Sequence, residues 1–498
     1  MLFTTLAFAC GFLPVVFVLF YLLGRHSQAA AAGWLFLASV FFYGYWMPAF
    51  TLLLLGSIAV NFLVGHRIAQ NVAGGSDPRD RARAKRWLIL GIILDLGLLS
   101  YFKYANFFVA SLDSLLGLGW SIGHITLPIG ISFFSFTQIA FLADSYQKGI
   151  AEYRPTHYGL FVTYFPHLVA GPVLHHAQMM PQFGEASTYR IDGANVAAGA
   201  SIFAIGLFKK IVLADSISPY ADAVFGAADG GDAVHAGEAW VGALAYTFQL
   251  YFDFSGYSDM AVGLSLMFNI RLPYNFDSPY RSFSISDFWR RWHMTLSAFL
   301  RDYLYIPLGG NRLGGTRRHV NLMTTMLLGG LWHGASWTFV FWGGLHGLYL
   351  GINHAFRAAA GTRIDSWSRV PAYRLACWAL TFLGVVIAWV FFRAETFAGA
   401  GQVLVGLGGM GPVASWQSRL FWNAGLDVAG GTAHCAVLGL ISFGLPNSNR
   451  IGEWILARCR AGTSLRWLAL GFASMLALLL VVINDTRLSA SPFIYFNF

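Results

Sequence analysis

Apolar runs separated by short polar or glycine-bearing breaks dominate this chain. They predict helices over residues 2–23, 33–47, 50–65, 87–102, 104–118, 127–143, 158–174, 197–214, 239–268, 321–350, 374–392, 432–446 and 467–484. A membrane-crossing helix needs about 20 mostly apolar residues, so the pattern predicts an all-α polytopic membrane protein. About ten to twelve crossings are expected, because several runs are short or broken and suit re-entrant segments. Met1 to Leu23 has no basic n-region, and its apolar run exceeds that of a signal peptide. It reads as a first retained helix.

Composition agrees. Hydrophobic residues make up 56% of the chain and charged residues 11%, with a mean hydropathy of +0.57. No repeat of 20 to 50 residues or low-complexity linker divides the sequence, so residues 1–498 are expected to form a single integral-membrane domain. Cys10, Cys377, Cys435 and Cys459 are scattered without metal-ligand spacing and imply neither a disulfide framework nor a metal site.

The net charge of +9 is unevenly spread. The stretch between the third and fourth apolar segments carries Arg67, Arg79, Arg81, Arg83, Lys85 and Arg86 against Asp77 and Asp80, which places it in the cytoplasm. Three crossings precede it, so the N-terminus is expected outside. A second basic stretch, 271–319, holds arginines 271, 281, 290, 291, 301, 312, 317 and 318 but only Asp277, Asp287 and Asp302 as acids. Such a stretch anchors to anionic lipid or binds a phosphate-bearing ligand, which suits the planar fork of arginine. Trp289, Trp292, Tyr274, Tyr280, Tyr303 and Tyr305 interleave with these arginines, as in a segment lying at the membrane interface. Nothing in the pattern points to nucleic acid.

Directly after it, His319 to Phe356 contains no Asp, Glu, Lys or Arg, yet carries His333 and His346. Ionisable groups at membrane depth are costly and mark cavities, relays or hydrogen bonds between helices. On a continuous helix, His333 would sit about 20 Å beyond His319, near the bilayer centre. A single helix through the whole run would be about 57 Å long, too long for one upright crossing. The pairs Gly329-Gly330 and Gly343-Gly344 are sites for a break or for close helix packing. His346 lies thirteen residues after His333, on roughly the opposite side of a regular helix unless the helix breaks. Gln138, Asp144, His167, Asp253 and Asp259 punctuate other apolar runs. A line of such groups suits a substrate tunnel or the ion path of a transporter.

Five stretches in order carry a resemblance: LPIGISFFSF (127–136), YFPHLVAGPV (164–173), YFDFSGYSDMAVG (251–263), NFDSPYRSFSISDFWRRWHMTLSAFLRDYLYIPLGGNR (275–312) and GLWHGASWTFVFWGGLHG (330–347), followed by the ending SPFIYFNF (491–498). Together they resemble the membrane-bound O-acyltransferases, in the branch of the alginate O-acetyltransferase membrane protein. The resemblance implies a ring of tilted transmembrane and re-entrant helices around a tunnel. It implies His333 as the catalytic histidine, with His293 at the second catalytic position. Arg290, Arg291, Arg301 and Trp292 become candidate donor contacts, and Asn275, Trp332, His167 and Gln138 candidate tunnel-lining residues.

The resemblance further implies acetyl transfer from acetyl-CoA, with no tightly bound cofactor and no metal. The donor phosphates would dock near the arginines of 271–319. His333 would act as general base or as a covalent acetyl carrier, and His293 would polarise the carbonyl or orient the acceptor. The chain lacks a G-x-S-x-G elbow and a soluble catalytic domain, and the branch works with an SGNH-type acetyltransferase outside the membrane. The expected setting is the bacterial cytoplasmic (inner) membrane, and the expected role is O-acetylation of an exopolysaccharide such as alginate. Peptidoglycan or cellulose acetylation, D-alanyl transfer to teichoic acid, a transporter and a non-catalytic scaffold are the competing readings.

Overall fold

The computed structural model describes residues 1–74, 77–169, 171–411, 419–486 and 493–494. Of the ending SPFIYFNF, only Phe493 and Ile494 fall within the described residues, and Ala170 of YFPHLVAGPV lies outside them. The main helices are α1 (Ala7–Gly24), α2 (Gln28–Trp46), α3 (Pro48–Ala73), α4 (Pro78–Leu116), α5 (Ile131–Lys148), α6 (Pro155–Thr163), α7 (Gly193–Asp229), α8 (Ala236–Met267), α9 (Ile285–Arg291), α10 (Met294–Leu300), α11 (Gly315–His333), α12 (Trp337–Ala360), α13 (Pro371–Arg393), α14 (Phe397–Leu407), α15 (Val428–Gly444), α16 (Ser448–Ala461) and α17 (Thr463–Asp485). There are no strands among the described residues.

Seven of these helices (α1, α2, α3, α4, α7, α13 and α17) are long and apolar enough to cross a membrane, and the bent pair α15–α16 brings the number to eight if it counts as one span. Except in α7, at most 39% of each apolar window is buried. The remainder, including Leu52, Leu380 and Leu440, faces outward. Contiguous apolar surface on this scale is incompatible with water and fits a lipid solvent. The protein is therefore an all-α multi-pass membrane protein.

Among the described residues seven or eight helices meet that length and apolarity requirement, against ten to twelve expected crossings, and the segments differ from the expected ones in identifiable ways. Segments 87–102 and 104–118 join into α4. The 158–174 segment becomes the nine-residue α6 followed by turns, and α5 is buried along most of its length. The 321–350 run splits into α11 and α12. Most of the first basic stretch lies inside α4, whose start Asp77 caps by accepting from Arg79 N–H at 2.8 Å.

The chain packs as two compact units. The first combines 1–207, 257–274 and 450–490; the second combines 208–256, 275–449 and 491–498. Both α7 and α8 contribute residues to each.

In the first unit, Phe3, Phe8, Phe12, Phe42 and Phe165 form a continuous ring cluster. The α7–α8 crossing depends on the absence of side chains: a Cβ on Gly199 would lie 2.6 Å from the Gly263 carbonyl oxygen, and one on Gly263 would lie 2.5 Å from that of Gly199. Small residues let helix backbones touch in a membrane, where dispersion and polar contacts replace the hydrophobic effect. Asn61 on α3 donates to the buried Asp95 carboxylate on α4 at 2.7 Å, giving that pair a polar tie.

In the second unit, α11 and α12 form an antiparallel hairpin. Its turn is Gly334-Ala335-Ser336, immediately after His333, where Gly334 takes an extended conformation and the Ser336 side chain caps α12. The glycine pairs are the packing seam, not the break. A Cβ on Gly330 would lie 2.3 Å from the Phe339 carbonyl oxygen, and one on Gly343 would lie 2.2 Å from that of Met326.

Candidate functional site

The hairpin turn delivers His333 into an aromatic enclosure. Its ring centroid lies 4.9 Å from Trp332, 5.1 Å from Trp342, 5.2 Å from Phe392 and 6.5 Å from His293. His333 is 3% exposed and His293 is fully buried. Phe392 belongs to the last turn of α13. His333 is therefore level with the end of that helix.

His293 joins the short helices α9 and α10, and its backbone sits in the left-handed region at φ 44°. A non-glycine residue there is uncommon and marks a position the surroundings over-determine. What over-determines it is Asn275. The Asn275 backbone carbonyl accepts from Met294 N–H at 2.9 Å. Its side-chain Oδ1 accepts from Thr295 N–H at 3.3 Å and Thr295 Oγ1 at 3.0 Å, and lies 3.1 Å from His293 Nδ1.

A backbone N–H can only donate, so the Thr295 contact fixes this Asn275 atom as the oxygen. The His293 contact then requires a proton on Nδ1. In the neutral ring, Nε2 is left with a lone pair, and that buried atom has no hydrogen-bond partner among the described residues. Burial pushes the His293 pKa down to about 3, so the ring is neutral across the physiological range. Neutral His293 can thus accept a hydrogen bond into the site but cannot donate one from Nε2. Polarising a carbonyl, one of its two expected roles, needs a donor and does not fit this tautomer.

Around the pair, Trp292 packs between Phe276 (5.1 Å) and Trp389 (5.0 Å). Phe254 of α8 stands edge-on to His293 at 4.7 Å. His346 lies on the far side of Trp342 (4.9 Å) and accepts from Trp289 Nε1–H at 3.3 Å. Its role is a hydrogen bond between α9 and α12.

The expected donor arginines are placed unevenly. Arg291 pairs with Asp287 (3.0 Å) and Asp277 (3.7 Å), and Arg301 makes a two-pronged contact with Asp302 (2.7 and 3.1 Å). Arg290 is exposed and makes no ion pair among the described residues. His167 and Gln138 belong to the first unit. There the His167 ring meets the Phe161 carbonyl at 3.0 Å, and Gln138 donates to Ser57 Oγ at 2.9 Å.

Next to the enclosure, a cavity of about 620 Å³ is lined by Lys210, Gln249, Asp253, Ser336, Phe339, Phe392 and Arg393, among others. Phe392 and Phe339 are shared between its wall and the surroundings of His333 and Gly334. Lys210 bridges Asp215 and Asp253 at 2.7 Å each, and Asp253 also accepts from Ile494 N–H at 3.0 Å. Sequence reading noticed Asp253 but missed Lys210. The adjacent lysines of FAIGLFKKIVLA, inside an apolar run, were the available signal.

The buried histidines on a hairpin tip and an interhelical turn, enclosed by aromatic rings, define a water-poor polar centre suited to acyl transfer. Comparison with known proteins gives the class. The chain belongs to the membrane-bound O-acyltransferase family, whose pattern matches residues 120–392, and it is an acyltransferase. It is 39% identical to a peptidoglycan O-acetyltransferase of Helicobacter pylori over 100% of this chain and 98% of that one. It is 43% identical to the Pseudomonas aeruginosa protein named probable alginate O-acetylase AlgI, over 89% of this chain and 82% of that one. With the Pseudomonas putida protein of the same name the identity is 40% over both full lengths.

Proposed function

We propose that this protein is an O-acetyltransferase of the bacterial cytoplasmic membrane that draws acetyl groups from a cytosolic thioester, acetyl-CoA, for the hydroxyls of an exported glycan. The observation that carries the reading is the neutral His293, held by Asn275 with a buried Nε2 that has no hydrogen-bond partner among the described residues, 6.5 Å between ring centroids from His333. In the transfer step the acceptor oxygen forms a bond to the thioester carbonyl carbon, and the carbon–sulfur bond breaks. His333 takes the hydroxyl proton and returns it to the departing thiolate. His293, a weak base because of its depressed pKa, holds the hydroxyl by accepting its hydrogen bond. The tryptophan and phenylalanine rings limit water, and with it thioester hydrolysis.

The polymer is expected to be an alginate-like exopolysaccharide, reached through an SGNH-type acetyltransferase outside the membrane. Peptidoglycan is the second reading, favoured by the full-length match to the Helicobacter pylori enzyme. The test uses protein in nanodiscs with radiolabelled acetyl-CoA and an SGNH-type partner, offering alginate and peptidoglycan fragments in parallel. His333→Ala should lower transfer by about 10²–10⁴-fold while remaining folded. Wild-type transfer matched by the variant would remove His333 from the chemistry. Label retained on the wild-type chain after donor removal would indicate a covalent acetyl carrier instead of direct transfer.

A further inference from the structure

Residues 275–278 form no helix or strand. Asn275 and Phe276 are nonetheless buried, so their backbone groups need partners from other parts of the chain. On one side these come from the turn around His293: Met294 N–H donates to the Asn275 carbonyl, and Asp277 N–H donates to that of Arg291, both at 2.9 Å. On the other side they come from the break between α15 and α16, where the sequence reads LPNSNR (445–450). Asn449 Nδ2 donates to the Phe276 carbonyl at 2.7 Å, and Asn447 Nδ2 donates to Asp277 Oδ1 at 2.6 Å. Arg281 ties the two segments from the opposite direction, donating to the carbonyls of Ser442 at 3.3 Å and of Leu445. Between the asparagines, Ser448 Oγ accepts from the ammonium of the buried Lys209 on α7 at 2.9 Å, and that ammonium also reaches Ser255 Oγ on α8 at 3.3 Å. Three consecutive side chains of one helix break are thus committed to holding other elements. LPNSNR lies beyond the 120–392 stretch that the family pattern covers.

We infer that Asn449 is a positioning residue for the transfer reaction: its amide fixes the Phe276 carbonyl, and with it the neighbouring Asn275 side chain that orients His293. Asn447 and the Lys209–Ser448 contact hold the break itself in place. The tolerance is narrow. Asn275 Oδ1 lies 3.1 Å from His293 Nδ1, and a shift of about 0.5 Å takes that contact beyond hydrogen-bond distance. Phe276 adds a second contact, with its ring 6.4 Å from that of His293 and 4.9 Å from that of Phe254. A carbonyl can only accept, so the Asn449 atom that meets Phe276 is the amide nitrogen. Aspartate at 449 would have nearly the same shape with an acceptor where the donor was. The inference rests on the role given to His293 in acetyl transfer, and its test includes a measurement that needs no turnover.

The full chain is compared in nanodiscs as wild type, Asn449→Asp, Asn449→Ala, Asn449→Gln, His293→Gln and the double variant Asn449→Ala with His293→Gln. Histidine-labelled protein is followed by solid-state nitrogen NMR, with His293 identified as the signal missing from His293→Gln. The wild type should show His293 as one neutral tautomer protonated at Nδ1. Asn449→Asp and Asn449→Ala should split or broaden that signal, and Asn449→Gln, which keeps the donor, should restore part of it. In the acetyl-transfer assay the first two variants should lose about 10–100-fold in kcat at unchanged KM for acetyl-CoA. The same Asn449→Ala change should cost less than about threefold when His293 is already glutamine, because residues that act through one another are not additive. An unchanged His293 signal in both Asn449→Asp and Asn449→Ala would overturn the inference. So would an equal kcat loss with and without His293, which is the mark of a merely structural residue, or a change confined to KM. A disturbed His293 signal alongside wild-type turnover in His293→Gln would leave the clamp on His293 standing and defeat the role given to that histidine in the proposed function.

Discussion

Gly330 and Gly344, one glycine from each pair, should respond differently to a single methyl group. At Gly330, an alanine Cβ would stand 2.3 Å from the Phe339 carbonyl oxygen and 3.1 Å from the Gly343 backbone. Real Cβ contacts essentially never fall below 3.0 Å, so α11 and α12 must part by roughly 0.7 Å or more. The obstacle is backbone, which cannot rotate away. Overpacking of this kind costs about 1–3 kcal/mol. The displacement also acts directly on His333, three residues further along the same helix, and a shift approaching 1 Å at a reacting group can cost about 100-fold in rate. At Gly344, by contrast, the new Cβ would meet only the Leu327 side-chain terminus at 3.3 Å. There a small rotamer change suffices, and alanine gains up to about 1 kcal/mol of helix propensity. Thermal unfolding of the nanodisc protein and its acetyl-transfer rate should therefore fall together in Gly330→Ala and hold steady in Gly344→Ala. Wild-type stability and rate in Gly330→Ala, or equal damage in both variants, would refute the seam.

The polar groups give two further outcomes. The folded pKa of His293 is depressed to about 3 from the ordinary 6.5, so below about pH 6.5 the unfolded chain binds a proton that the folded chain does not. His293 therefore makes stability fall as pH falls from 6.5 towards 3, and the melting temperature of His293→Gln should decline less steeply over that window than that of the wild type. Lys210→Met should destabilise the second unit by about 3–5 kcal/mol, since it leaves the buried Asp215 and Asp253 without their shared cation. Adding Asp253→Asn should recover part of that loss in the same thermal assay; no recovery would show that the three do not act as one charge network.

The lipid-solvated class of this protein was legible from its pattern alone, because a 20-residue apolar run has few stable fates other than a buried or membrane-crossing helix. His333 was also legible, since an ionisable group in a 38-residue stretch without Asp, Glu, Lys or Arg demands a reason. His293 and Asn275 entered through family resemblance, and spacing offered no hint that one would hold the other. Whether the glycine pairs would break the helix or pack it, and whether an arginine would face a ligand or a neighbouring carboxylate, depended on which backbones approach each other. The same holds for the tautomer of His293, set by a contact with Asn275 eighteen residues away. Hydrophobic periodicity is a property of consecutive residues and survives any arrangement of the helices. Hydrogen-bond direction, charge pairing and the fit of a missing Cβ exist only between residues that the tertiary fold brings within a few ångströms.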